Sequence, residues 1–64
     1  MREAELWQRM AEQLGEHYAR AWADSVVLAE IGGRTVREAI DAGVACKDIW
    51  RAVWRQLELP DRFR

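Results

Sequence analysis

The chain lacks most of what staples very small proteins together or gives them chemistry. Its one cysteine, Cys46, rules out an intramolecular disulfide, and secreted domains of this size are usually disulfide-dense. Its one histidine, His17, has no second histidine at helical spacing. One His and one Cys fall short of any recognisable metal-ligand set, so no metal or other cofactor is expected. Neither sign of charge is in excess: 10 Lys and Arg against 11 Asp and Glu leave a formal net charge of −1. That balance supplies no broad field for nucleic acid or an anionic membrane. No apolar run is long enough to span a bilayer, and residues 1–5 alternate charges without leading into one. Neither a secretory leader nor a membrane span is therefore expected, and the cytoplasm is the expected compartment. Repeats and low-complexity segments are absent too, and the only β-branched run, Val26-Val27-Leu28, sits inside a helical pattern.

What is present is enough for one folded domain over residues 1–64. A chain of 64 residues buries only about 60% of the surface its unfolded form exposes. Its core must therefore be efficient. Half of the residues are hydrophobic and 33% are charged, a composition typical of folded proteins. Four tryptophans, Trp7, Trp22, Trp50 and Trp54, can each bury on the order of 200 Å².

Glycines and the single proline cut the chain into helix-sized pieces. Residues 3–14 place Leu6, Trp7, Met10 and Leu14 on one face, with Glu3 and Glu5 in the first turn, where the helix dipole favours negative charge, and Gly15 as the stop. Residues 16–31 repeat Tyr18, Trp22 and Val26 every four positions, with Ala19 and Ala23 beside them. A second helix is expected there up to Gly32-Gly33, either continuous or bent or split at Asp24-Ser25, a pair able to cap a new helix. Thr35-Val36-Arg37-Glu38 matches the reciprocal capping box and predicts a short third helix with Val36, Ala39 and Ile40 inward, closed by Gly43. A last helix is expected over residues 46–58, ahead of Pro60. Ile49, Trp50, Val53 and Leu57 form its apolar face, Trp54 lies at the margin, and Lys47, Arg51 and Arg55 step by four down the far side.

Residues 35–53 have the plan of a helix-turn-helix: a short helix, a glycine in the turn, then a longer helix. Ala39 allows close crossing, Gly43 suits the positive φ of the turn, and Val44 and Ile49 fill the wedge. Glu38 and Ala52 depart from the motif, the first by its charge and the second by its small size. In this reading Trp50 and Trp54 lie on the side that would face a DNA groove, where readers of DNA carry Arg, Asn, Gln or Ser.

The remaining motifs read as structural. Cys46 stands near a helix N-terminus beside Lys47, two features that raise thiol reactivity, but no base or oxyanion site accompanies it. Cys46 is therefore expected to pack as a small hydrophobe. Gly32-Gly33-Arg34-Thr35 precedes a helix, yet it lacks the phosphate-loop spacing and any preceding strand. It reads as a helix end and a turn. No set of acid, base, nucleophile or metal ligands suggests an enzyme.

Nearly the whole chain resembles a group of small actinobacterial proteins of unknown function, whose genes often lie near those for recombinase A and its regulator RecX. The resemblance rests on Met1-Arg2, Trp7, Met10, Gly15, Tyr18, Trp22-Ala23 and Leu28. It rests above all on residues 31–36, on Glu38-Ala39 and Ala42-Gly43-Val44, and on Trp50-Arg51-Ala52-Val53, with Pro60 and the Arg-rich end completing it. It implies an intracellular bacterial protein and no assigned reaction. Ala45-Cys46 stands where Asp-Pro is common in that group, and Trp54 where a smaller residue is usual.

The expectation is an all-α bundle of three to four helices with a helix-turn-helix-like corner formed by the last two. The function expected of it is that of a non-enzymatic adaptor or regulator that binds another protein, with self-association as a variant. Lys47, Arg51, Trp54 and Arg55 are its candidate partner surface. A DNA-binding module linked to repair or transcription is the alternative, disfavoured by the net charge. A contiguous Lys/Arg stripe would argue for DNA, and a bare apolar patch for a protein partner.

Overall fold

The computed structural model describes residues 1–64. Helix α1 spans Glu3–Leu14, α2 Glu16–Ser25, α3 Val36–Asp41 and α4 Cys46–Gln56, with single 3₁₀ turns at Ala29–Ile31 and Asp61–Phe63. The all-α architecture expected from periodicity is what forms, including the α3–turn–α4 corner. Helix α1 packs on α2 and α4, α3 contacts α2 and α4, and the first 3₁₀ turn lies against α4.

Helices α1 and α2 are joined by one residue. Gly15 has φ 88° and ψ 148°, a combination essentially confined to glycine. Its N–H donates to the Ala11 carbonyl at 2.8 Å, and its own carbonyl accepts from the Ala19 N–H at 2.9 Å. The same residue thus ends one helix and begins the next. This tight reversal turns Leu6 and Met10 of α1 and Ala19, Trp22 and Ala23 of α2 into one core. Trp7 and Leu14 pack at its edge, half-buried.

The second helix is shorter than its pattern predicts. It stops at Ser25, whose hydroxyl donates back to the Ala21 carbonyl at 2.6 Å. Such back-bonding weakens a helix, and the β-branched Val26-Val27 pair follows. The chain then runs extended through Val26 and Leu28. Leu28 and Arg34 form an isolated antiparallel bridge around the 3₁₀ turn, with the Leu28 N–H donating to the Arg34 carbonyl at 2.9 Å. This loop drops Leu28 and Ile31 into the core. Asp24-Ser25 therefore terminates a helix and does not cap a new one. Tyr18 is also not on the inward face: it is 60% exposed. The buried arc of α2 runs from Trp22 to Ala23, and Tyr18 falls about 40° outside it at 100° per residue.

The capping box forms as its spacing predicts. Thr35 Oγ1 accepts from the Glu38 N–H at 3.1 Å, and Glu38 Oε1 accepts from the Thr35 N–H at 2.9 Å. Glu38, the charged departure from the helix-turn-helix pattern, is thus explained by its role as a cap. Val36 and Ala39 are buried and Ile40 is half-buried. Helix α3 ends in a Schellman motif: the Val44 N–H donates to the Ala39 carbonyl at 3.0 Å and the Gly43 N–H to the Ile40 carbonyl at 3.1 Å. Gly43 sits at φ 82°, where a glycine is least strained. Ile49, Trp50, Ala52 and Val53 of α4 close the core.

Candidate functional site

The outward face of α4 carries the residues singled out from the sequence. Lys47, Arg51 and Arg55 are all exposed on it. At four-residue spacing each is displaced about 40° from the last, so the three form a shallow stripe along the helix. Lys47 has no carboxylate within ion-pair distance. Arg51 Nη1 lies 3.9 Å from Asp48 Oδ1, an exposed pair one helical turn apart. Arg55 Nη1 reaches Glu30 Oε1 at 2.9 Å and ties α4 to the first 3₁₀ turn. Exposed pairs of this kind contribute about 0.2–1 kcal/mol, so they hold the guanidinium groups weakly.

Two neighbours of this face were not assigned to it from the sequence. Glu30 and Arg34 join Ile31, Val44, Asp48 and Arg51 around an open depression beside α4. Arg34 lies over Gly32, and its Nη1 donates to the Ile31 carbonyl at 3.2 Å. No helical periodicity could have placed these two residues, because the bridged loop sets their direction. The face thus gathers four cations, Lys47, Arg51, Arg55 and Arg34, against two carboxylates, Asp48 and Glu30.

The two tryptophans of α4 divide. Trp50 is core, 2% exposed, and does not point toward a groove as the helix-turn-helix reading expects. At 100° per residue it falls within the buried arc shared with Ile49 and Val53. Its Nε1–H donates to the carbonyl oxygens of Phe63 at 2.9 Å and Arg64 at 3.1 Å. Trp54 is half-buried at the margin of the Lys–Arg face. Its Nε1–H donates to the Pro60 carbonyl at 2.9 Å, and the Arg64 guanidinium lies 5.0 Å from its ring centroid.

Elsewhere the chemistry is sparse. Nowhere do three His, Cys, Asp or Glu side chains converge as a metal site would require. Cys46 is unpaired and half-buried against the core. The amides of Gly32 and Gly33 are already used, donating to the Ala29 and Leu28 carbonyls, so this turn offers no nest of free N–H groups to a phosphate. A separate open groove of about 530 Å³ lies between α1 and α2, bordered by Ala4, Trp7, Ala11, Glu12, Glu16 and Arg20. No helix is long and apolar enough to cross a membrane.

A family model described as a protein of unknown function, DUF3046, matches residues 1–62. The match agrees with the resemblance read from the sequence in its extent and in its lack of an assigned activity. No curated protein and no solved structure matches the chain.

Proposed function

Because the chain belongs to the DUF3046 family, whose function is unknown, we propose a function from the face itself: a non-enzymatic binding module whose partner is an acidic protein surface docked on α4. The observation that carries this reading is the exposed Lys47–Arg51–Arg55 stripe with the half-buried Trp54 ring at its edge. Arg and Trp side by side are the pairing enriched at interface hot spots. The weak ion pairs of Arg51 and Arg55 leave both guanidinium groups free to exchange partners at little cost. The proposal places the module in the bacterial cytoplasm. The actinobacterial resemblance, with its genes near recombinase A and RecX, makes DNA-repair proteins the first partners to try.

DNA binding through the α3–α4 corner is the second reading. One observation favours it: with Trp50 in the core, the outward arc of α4 presents Lys47, Arg51 and Arg55. Against it, Asp48 sits in the first turn of the helix that would enter the groove, and the net charge is −1. A protein partner therefore accounts better for the mixed face.

The test compares the chain with a Lys47→Glu, Arg51→Glu variant. Affinity capture from the cells that encode it, followed by mass spectrometry, should recover a partner with the native chain and lose it with the folded variant. Equal capture by both would remove α4 as the binding face. Titration against labelled duplex DNA at several salt concentrations is expected to show no tight binding. Submicromolar affinity with a steep salt slope, the mark of several phosphate contacts, would put the DNA reading first.

A further inference from the structure

Residues 59–64 lie back over α4 and α1, and the way they are held differs from the rest of the fold. From Pro60 onward no backbone N–H of this segment reaches the helices: the Phe63 and Arg64 amides donate locally, to Pro60 and Asp61. Leu59 at its root donates its N–H to the Trp54 carbonyl at 3.1 Å; beyond that residue the body grips the segment by its carbonyls. Trp54 Nε1 holds Pro60, Trp50 Nε1 holds Phe63 and Arg64, and Arg9 Nη1 reaches the Arg64 carbonyl at 3.3 Å. Only Leu59 and Phe63 supply apolar anchorage, each half-buried, while the other four residues are exposed.

We propose that residues 59–64 are a displaceable strap that opens as a unit and switches Trp54 between a covered and a bare state. The segment has few buried side chains, and two of its four side-chain grips, from Trp54 and Arg9, lie at the surface while the Trp50 pair is part-buried; few buried contacts and surface hydrogen bonds are features of low local stability. The upstream joint is suited to be a hinge. Glu58 stands at φ 53° as the left-handed residue of the Schellman motif that ends α4, a conformation that strains a side-chain-bearing residue, so its strain offsets part of what is lost when the motif's bonds open. Closed, the strap spends the Trp54 N–H on Pro60 and lays the Arg64 guanidinium on the ring. Open, it frees the ring face and the N–H beside Arg51, and uncovers the polar edge of Trp50.

The regulatory consequence rests on the α4 reading above. A partner that uses Trp54 must displace Arg64, so its apparent affinity is reduced by the fraction of closed strap. The opening itself is independent of any partner, and it is tested on the chain alone.

The measurement is native-state hydrogen exchange of the Trp50 indole N–H, followed by NMR on the ¹⁵N-labelled chain. Its protection is expected to be at least about tenfold lower than that of the slowest backbone amides of α1 and α4, as for a sub-global opening. Thr35→Ala, remote from the strap, should lower those slowest amides by about fivefold, the equivalent of one lost N-cap, and leave the Trp50 indole unchanged. Trp54→Phe, which removes the grip on Pro60, should speed Trp50 indole exchange several-fold. An indole that slows and speeds with the slowest amides through Thr35→Ala would make the segment an integral part of the core. An indole indifferent to Trp54→Phe would mean that the two ends open separately. Either result overturns the strap.

Discussion

Truncating the two tryptophans of α4 should have unequal effects, and the inequality follows from where each ring sits. Trp50 is 2% exposed, and Trp→Ala at a buried site typically costs about 3–5 kcal/mol. A domain of 64 residues is expected to have a total stability of only about 3–10 kcal/mol. Trp50→Ala should therefore be largely unfolded in buffer, or nearly so. Trp54 keeps part of its ring in solvent, so its truncation returns less area to water than that of Trp50. At 25 cal/mol per Å², roughly 100–150 Å² is worth about 2.5–4 kcal/mol, and a ring open to solvent on one side leaves no closed cavity to add to it. Its indole bond to Pro60 lies at the surface, where water replaces it, so that loss adds little. Trp54→Ala should thus remain folded, with a lowered midpoint. Urea denaturation followed by far-ultraviolet circular dichroism measures both. Trp50→Phe keeps a ring in place and gives a readable transition if Trp50→Ala has none. Sedimentation of Trp54→Ala then tests association, which should weaken if this ring anchors an interface. Equal losses of stability at the two positions would refute the reasoning, because the whole apolar face of α4, Trp54 included, would then be core.

Three further outcomes follow from local geometry. Thr35→Ala should cost roughly 1 kcal/mol, the usual loss for an N-cap; an unchanged thermal midpoint would mean that the Thr35–Glu38 reciprocal bonds carry no stability. Gly15→Ala should cost about 1–3 kcal/mol, although an added Cβ would meet nothing within 4 Å. The penalty is purely conformational, so a chemically synthesised chain with D-alanine at position 15 should recover much of it, and equal melting of the L- and D-alanine forms would contradict the assignment. Glu58→Gly should raise stability by about 0.5–1 kcal/mol in urea melts, because α4 ends in a Schellman motif with this residue in the left-handed region; a loss would show that the Glu58 side chain contributes more than its backbone strain costs.

Whatever depends on neighbours within about four residues is legible from the order of residues. The limits of α1 follow from its apolar spacing and from Gly15, the start of α3 from Thr35 and Glu38, and the apolar face of α4 from Ile49, Trp50 and Val53. In each case the stabilising contacts are local or repeat with the helical period. The stripe of Lys47, Arg51 and Arg55 was legible for the same reason: a helix with one buried face fixes what its other face shows.

Packing between distant elements governs the places where the chain leaves that period. The extended passage after Ser25 and the Leu28–Arg34 bridge are set by the fit of Leu28 and Ile31 into a core built by other elements. No local pattern distinguishes this from one more helical turn. The same loop carries Glu30 and Arg34 to the α4 face, so two charges of the candidate site were invisible one-dimensionally. Tyr18 shares the four-residue repeat of Trp22 yet faces solvent, because the arc that α2 buries depends on where its partner helices lie. The surroundings of Trp50 and Trp54 were the least legible of all. Periodicity assigns each ring an angle around α4, but both indole N–H groups are satisfied by residues 60–64, and carbonyl recognition by a side chain leaves no signature in the sequence of the segment it holds.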